Sequence, residues 1–500
     1  MKYFYICLFC LLPFCGAAQF KNNVWCFGDS AGIKFLPGGG TQLFNSSTLT
    51  RGGSCTIADS AGNLLLYANT FYYPLWSQGY LRLGVAFDRN HNLMQNGDTL
   101  VGSGLFQEQV IVPWPDSSNL FYLFTAGVFA PFGFWYSVID LNQNGGLGAV
   151  VQKNVQLTNY EASDCVAAVK HGNGRDWWVL FKDYMSWNNS IYTYLITPNG
   201  ISGPFLQNIG FATNTNFMHS TFSRDGNKYL MVNYKGLIEV YDFDRCTGLF
   251  SNVITIEPEL PSALFPHYFG CAFSPSGNLI YITTVDYSET FLYQFDLLAP
   301  NITASKLQIE SVQAPSYHGS LRLAPDNKIY CAYNYYDGIN NYPYSDSLNN
   351  NFNQNLSVIN FPDSAGLACG FSPFSFNLGG NETYWGLPNN PEYDLGPLSG
   401  SSCDTIVGIN EPATVALAAE LFVYYAPDWQ TAFINANKLR GTQYHLEVFD
   451  LMGKSIFRES GKISPPYFTK NLICNGYSKG MYIVNLQTDQ ERLSKRFVVQ

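Results

Sequence analysis

A unit of two strands joined by a polar turn recurs six times along this chain, and that repetition limits the fold more than any other feature. The copies run from Cys55 to Tyr67, Ile111 to Phe124, Ala167 to Phe181, Thr221 to Leu230, Ala272 to Tyr281 and Leu321 to Tyr330. Their central turn residues, 59, 116, 173, 225, 276 and 326, are spaced by 57, 57, 52, 51 and 50 positions. Periods of this size belong to arrays in which each unit buries its apolar face only against its neighbours. A third strand follows each copy: Val85 to Asp88, Ser137 to Asp140, Tyr194 to Thr197, Val240 to Asp244, Tyr293 to Asp296 and Ser357 to Asn360. Turns such as Asn144-Gly145-Gly146 and Asn199-Gly200 then lead to a further strand, as at Val150 to Leu157. Three or four antiparallel strands per unit predict the blades of a β-propeller, and the 3.6-residue period of a helical solenoid is absent. A ring must close to leave no unpaired edge. Val24 to Phe35 before the first copy and Gly366 to Phe376 after the last are expected to complete a shared blade, giving six or seven in all.

A chain of 500 residues is too long for one ordinary core, and a closed array relieves that limit. Apolar residues at 46% and charged residues at 13% exclude a disordered chain. A net charge of -10 without a basic stripe argues against nucleic acid, whose binders concentrate Lys and Arg. Residues 1–18 read as a signal peptide: Lys2, an apolar run from Tyr3 to Phe14, then Gly16-Ala17-Ala18 before Gln19. A lipoprotein reading through Cys15 meets the bulky Phe14 where a small residue is needed. No later run reaches the ~20 apolar residues of a spanning helix, so no transmembrane segment is expected. Nine cysteines remain after residue 18, with no CxxC pair, which excludes the usual zinc motifs. Most are expected to be buried as small apolar side chains, with one or two disulfides permitted by export.

Several segments carry a resemblance. Trp25-Cys26-Phe27-Gly28-Asp29-Ser30-Ala31-Gly32-Ile33-Lys34-Phe35, Ala61 to Tyr67 and Arg89 to Gly97 resemble the amino-terminal half of large secreted, propeller-like proteins of Bacteroidota that leave the cell by type IX secretion. Gly386 to Tyr393, with Gly396-Pro397-Leu398, resembles the segment ending that propeller. The tail resembles a type A sorting domain of the same system: Leu446 to Lys454 matches its strand and turn, Gly480 to Val484 its penultimate strand and Lys495 to Val499 its last. Alternating segments with turn dipeptides independently predict a small immunoglobulin-like β-sandwich there. Tyr425-Ala426-Pro427-Asp428 departs from the family's opening Tyr-Pro-Asn-Pro. The expected organisation is a signal peptide at 1–18, a propeller at 19–400, a linker at 401–415 and a sorting domain at 416–500. The resemblance implies the type IX machinery as a partner and a secreted or cell-surface destination after export to the periplasm.

Loops entering the innermost strands of a propeller gather at one mouth of its channel. Arg51, Glu108, Asp164, His219, His267 and His318 stand near those entries, one per unit, and are the candidate ligand-binding residues. Three imidazoles and two carboxylates meeting on an axis could also hold a divalent metal or move protons. Their offsets from the strands differ, so no metal is assigned. No GxSxG, HExxH, GxxxxGK or GxGxxG motif stands in its proper context, and no cofactor is expected. Asp-Ser-Ala at Asp29, Asp59 and Asp363, with Asp98-Thr99-Leu100 and Asp404-Thr405-Ile406, look like O-glycosylation signals of exported Bacteroidota proteins; Asp-Ser in a turn also bonds its own backbone. Trp76, Trp114, Trp135, Trp177, Trp178 and Trp187 are expected to pack blades more than to stack on sugars. The leading expectation is a non-catalytic module binding glycan or a surface protein. The competitors are a polysaccharide lyase or hydrolase and a structural protein of adhesion or gliding.

Overall fold

The computed structural model describes residues 20–75, 79–184, 187–260, 266–286, 288–335, 350–404, 419–426, 430–437, 439–463 and 468–499. The expected signal peptide at 1–18, positions 405–415 of the expected linker, and Trp76, Pro427 and Asp428 lie outside them.

Seven antiparallel sheets succeed one another along the first four fifths of the chain. Blade 1 holds Val24–Phe27, Asp29–Phe35 and Thr41–Leu49, and blade 2 holds Ser54–Ala58, Leu64–Leu75 and Gly79–Asp88. Blades 3 to 7 have four strands each and begin with the innermost strands Gln109–Pro113, Ala167–Lys170, Met218–Phe222, Tyr268–Phe273 and Ser316–Leu323. All six repeat copies fall on the first hairpins of blades 2 to 7, and each expected third strand lies in the third strand of its blade, save that the last ends at Ile359, one residue before Asn360. Alternation puts apolar side chains on both faces of each sheet, because both faces meet a neighbouring blade. Trp25, Phe35 and Tyr330 meet edge to face at 5.0 to 5.7 Å between blades 1 and 7, which closes the ring. The fold is therefore an all-β propeller of seven blades.

Closure differs from the expectation in one respect. The helical turn Gly366–Cys369 leads into Phe371–Asn377, which pairs with Asn355–Ile359 as the outer strand of blade 7, so this segment does not complete a shared blade. An irregular strap, residues 382–394, leaves the end of blade 1 at Glu382 and runs along the axis against the inner strands of the other blades. Glu382 bridges to Asp29, the Gly386 N–H donates to Arg51 O at 3.1 Å, Asn389 N–H to Ser54 O at 2.8 Å, and the Tyr393 hydroxyl to Ile111 O at 2.9 Å. A Cβ on Gly386 would lie 2.3 Å from Gly52 Cα, so the strap passes only because Gly386 has no side chain. Sequence missed the strap because it has no period of its own.

Beyond the strap the chain is fastened to the turns at the far end of blades 4 and 5. Leu398 N–H donates to Gly172 O at 2.8 Å, and a disulfide joins Cys403 to Cys246. The other seven cysteines beyond residue 19 are buried and free. The tail forms a sandwich of two sheets. One holds Glu420–Ala426, Thr431–Asn437 and Phe468–Ile473; the other holds Ser455–Lys462, Gln443–Asp450, Gly480–Thr488 and Arg492–Val499. Ile434, Leu446, Val448, Val484 and Leu486 fill the space between them. The sandwich rests on the outer strand of blade 3, Ala149–Thr158, whose pairing is broken by bulges around Lys153. Lys153 N–H donates to Asn435 Oδ1 at 3.0 Å, and Asn435 Nδ2 donates to Lys153 O. The lysine side chain turns inward to Asp98 at 2.9 Å and to Asn96 and Thr99 at 3.2 Å.

Candidate functional site

The channel mouth on the entry side of the inner strands is closed by rings. Phe106 packs on Phe269 at 4.8 Å, on Trp385 at 6.3 Å and on Phe217 at 6.4 Å, and Tyr317 meets Trp385 at 6.1 Å. Phe106 and Phe217 come from the entry loops of blades 3 and 5, Phe269 and Tyr317 from the first residues of the inner strands of blades 6 and 7, and Trp385 from the strap. Phe106, Phe217, Tyr317 and Trp385 are each half-buried, so the plate presents ring surface outward while sealing the axis.

Beneath and around this plate the six expected residues take separate places. Glu108 is fully buried: its carboxylate takes the Thr70 hydroxyl and the N–H groups of Ser103 and Leu105 at 2.8 and 2.9 Å, fastening its own loop. Asp164 is also buried, taking Met218 N–H at 2.8 Å while its Oδ2 has no partner. His219 lies within an inner strand, against Phe269 at 4.3 Å, with Nε2 unpartnered. His318, likewise inside a strand, is wedged between Thr290 Oγ1 at 2.7 Å and Glu310 Oε2 at 3.3 Å, joining blade 7 to blade 6. His267 reaches the edge of the mouth, bonded to Asp286 at 2.8 Å and stacked on Tyr234 at 4.1 Å. Arg51 is half-buried beside the strap. For the imidazoles the unequal offsets are a register difference: His267 precedes its inner strand and reaches the mouth, whereas His219 and His318 lie inside theirs and point between blades. The imidazoles do not share a centre, and among the described residues no three His, Cys, Asp or Glu side chains cluster closely enough to hold a metal ion. The rings of the plate had no signal of their own in the sequence, because their loops differ in length and the strap is not a repeat.

Of the tryptophans, Trp135, Trp177 and Trp178 are buried between blades, Trp114 stacks on Tyr122 at 4.6 Å, and Trp187 is 58% exposed beneath Lys235. Among the Asp-Ser-Ala serines, Ser60 is exposed and Ser30 and Ser364 are half-buried.

The buried groups make stability depend on pH in opposite senses. Burial pulls the His219 imidazole down to about 3, against ~6.5 in an unfolded chain. The unfolded chain therefore takes up the proton first as pH falls. The stability this neutral ring confers is present above about pH 6.5 and is lost towards pH 3, by at most ~1.4 kcal/mol per pH unit. His219→Leu should flatten that slope in urea midpoints measured from pH 7 to 4; an unchanged slope would refute the assignment. Burial raises the carboxyls of Asp164 and Glu108. Their contribution is present in acid, where both folded and unfolded forms are protonated, and is lost as pH rises through the folded values. Asp164→Asn, which keeps an acceptor for Met218 N–H, should raise the melting temperature at pH 8 more than at pH 4.

A sequence-family profile described as a secretion system C-terminal sorting domain matches residues 423–500. No curated protein sequence matches the chain. Among solved structures, a Bacteroides fragilis protein provisionally described as a 6-phosphogluconolactonase is 13% identical, with a TM-score of 0.42 over 74% of this chain and 96% of its own. A quinonprotein alcohol dehydrogenase-like protein of Bacteroides thetaiotaomicron is 10% identical, with a TM-score of 0.35 over 74% and 77%. The beta-propeller domain of Cps50 (Swd1) from Myceliophteria thermophila is 10% identical, with a TM-score of 0.32 over 62% and 92%. Likeness at this level assigns none of their activities to this chain. The match of the tail does carry an address: residues 423–500 are a secretion system C-terminal sorting domain, and the chain is a β-propeller protein delivered by type IX secretion to the cell surface or the surrounding medium.

Proposed function

We propose that this protein is a non-catalytic glycan-binding module, carried into the periplasm by residues 1–18 and outward by its tail at 416–500, with the propeller of 19–400 as the working part. One observation carries this reading: the ring plate of Phe106, Phe217, Tyr317 and Trp385 at the mouth, half-buried and bordered by the His267 and Asp286 pair and by Arg51. Apolar faces of pyranose rings stack on such surfaces, and polar groups at the border take hydroxyls, which gives selectivity without a nucleophile. Deeply buried Glu108 and Asp164 support the fold and take no part in it. The test is binding of the secreted chain to a glycan array, followed by Trp385→Ala and His267→Ala. A loss of about thirtyfold on truncating a central ring is expected, since hot-spot aromatics cost ~2 kcal/mol or more. Turnover of any arrayed polysaccharide, or binding indifferent to both substitutions, would overturn it.

A further inference from the structure

The other end of the axis holds a chamber of about 360 Å³, beneath the strap and open to solvent beside the glycine run Gly38 to Gly40. It lies where the inner strands of blades 4 to 7 end, and none of the rings Phe106, Phe217, Tyr317 and Trp385 lines it. Its volume stands near the low end of ligand pockets, ~300–1,000 Å³, which suits one sugar ring or a molecule of that size. Arg322 from blade 7 and Arg224 from the first turn of blade 5 face this space, as do Glu392 and Asp394 of the strap.

Hydrogen-bonding capacity in this wall is only partly used. Asn22 Nδ2 donates to Glu392 at 3.0 Å, Lys21 N–H to Asp394 Oδ2 at 3.0 Å, and Thr56 N–H to Asn390 Oδ1 at 2.8 Å. The opposite atom of each amide or carboxylate is left over: Asn22 Oδ1, Asn390 Nδ2 and Asp394 Oδ1 are buried without a partner. Arg322 makes no side-chain hydrogen bond among the described residues, although burial is heavy enough to bring its guanidinium down to about 10. A guanidinium has five N–H donors in a planar fork, and those of half-buried Arg322 are left for an acceptor that enters the chamber.

Charge then narrows the ligand. A planar carboxylate matches the fork with two parallel bonds. A phosphate dianion would meet two carboxyls in the same small space, and like charges at that range repel strongly. A bare carboxylate would leave the acceptors Asn22 Oδ1 and Asp394 Oδ1 and the donor Asn390 Nδ2 idle, whereas ring hydroxyls can use all three. We infer that the chamber is a receptor for a sugar acid of monosaccharide size, with its carboxylate on Arg322 and its hydroxyls on Asn22, Asn390 and Asp394. This site is separate from the ring plate and does not depend on the glycan reading of it.

Calorimetric titration of the full secreted chain with D-glucuronate, D-galacturonate, D-glucose, acetate and inorganic phosphate tests the inference. At least one uronate should bind about tenfold or more tightly than glucose, acetate or phosphate, the scale of a charge-assisted pair. Arg322→Gln should weaken it by about tenfold or more, with Arg322→Lys between the two. Melting of unliganded Arg322→Gln should be no lower than that of the parent, because the guanidinium makes no side-chain hydrogen bond among the described residues for the change to remove. Equal binding of uronate and glucose, binding untouched by Arg322→Gln, no binding of either uronate, or melting that falls in both Arg322 variants would each overturn it. Trp385→Ala should leave uronate binding unchanged, which separates failure here from failure at the mouth.

Discussion

Cys403→Ser should cost up to about 5 kcal/mol, the entropy released when a loop of this length is opened in the unfolded chain. The bond closes a separation of 157 residues, from the third turn of blade 5 to the end of the strap's extension. It also fits tightly: a Cβ on Gly172 would stand 2.4 Å from Cys403 Sγ and 2.8 Å from Cys246 Sγ. Urea unfolding of the parent, of Cys403→Ser, of Cys246→Ser and of the double variant measures the effect. The double variant should match either single one, since each alone breaks the same bond. A loss under about 1 kcal/mol in all three would mean that the strap holds without its fastening.

The second large effect is expected at Asn389, where the strap touches three blades at once. Its side-chain amide donates to Gln109 O at 2.9 Å and Val166 O at 2.8 Å, and its Oδ1 takes Gln107 Nε2 at 3.3 Å. Asn389→Ala leaves those groups to fend without the amide and should cost about 2 kcal/mol. Asn389→Asp removes both donors and sets a buried anion against two carbonyls, so about 4 kcal/mol is expected. The isosteric change should therefore be the worse of the two in thermal or urea melts. The reverse order would show that volume, not hydrogen bonding, fixes the strap.

Most of the ring was legible before any coordinates, because a blade is a local object. Copies such as Thr221 to Leu230 and Ala272 to Tyr281 declare a hairpin within ten residues, and their spacing declares the array. Chain closure was less legible. Phe371–Asn377 alternates like any outer strand and joins blade 7, while the strap that follows it is held by single side chains such as Asn389 and Tyr393 reaching across the axis. The candidate site was legible only in part for the same reason. Position relative to a strand start decides whether a histidine faces the mouth, as His267 does, or a neighbouring blade, as His219 and His318 do. A slip of one residue in a pleated strand exchanges those fates.

The way the tail sits on blade 3 bears on what happens after delivery. Asn435 imitates a missing neighbour strand by satisfying both main-chain groups of Lys153, and Thr469 steadies it from the adjacent strand of the sandwich. A protease that severs residues 405–418 would thus produce two pieces still clasped to one another, and departure of the address label would be a dissociation rather than a cut. Nicked parent protein should migrate as one particle in gel filtration, and nicked Asn435→Ala as two.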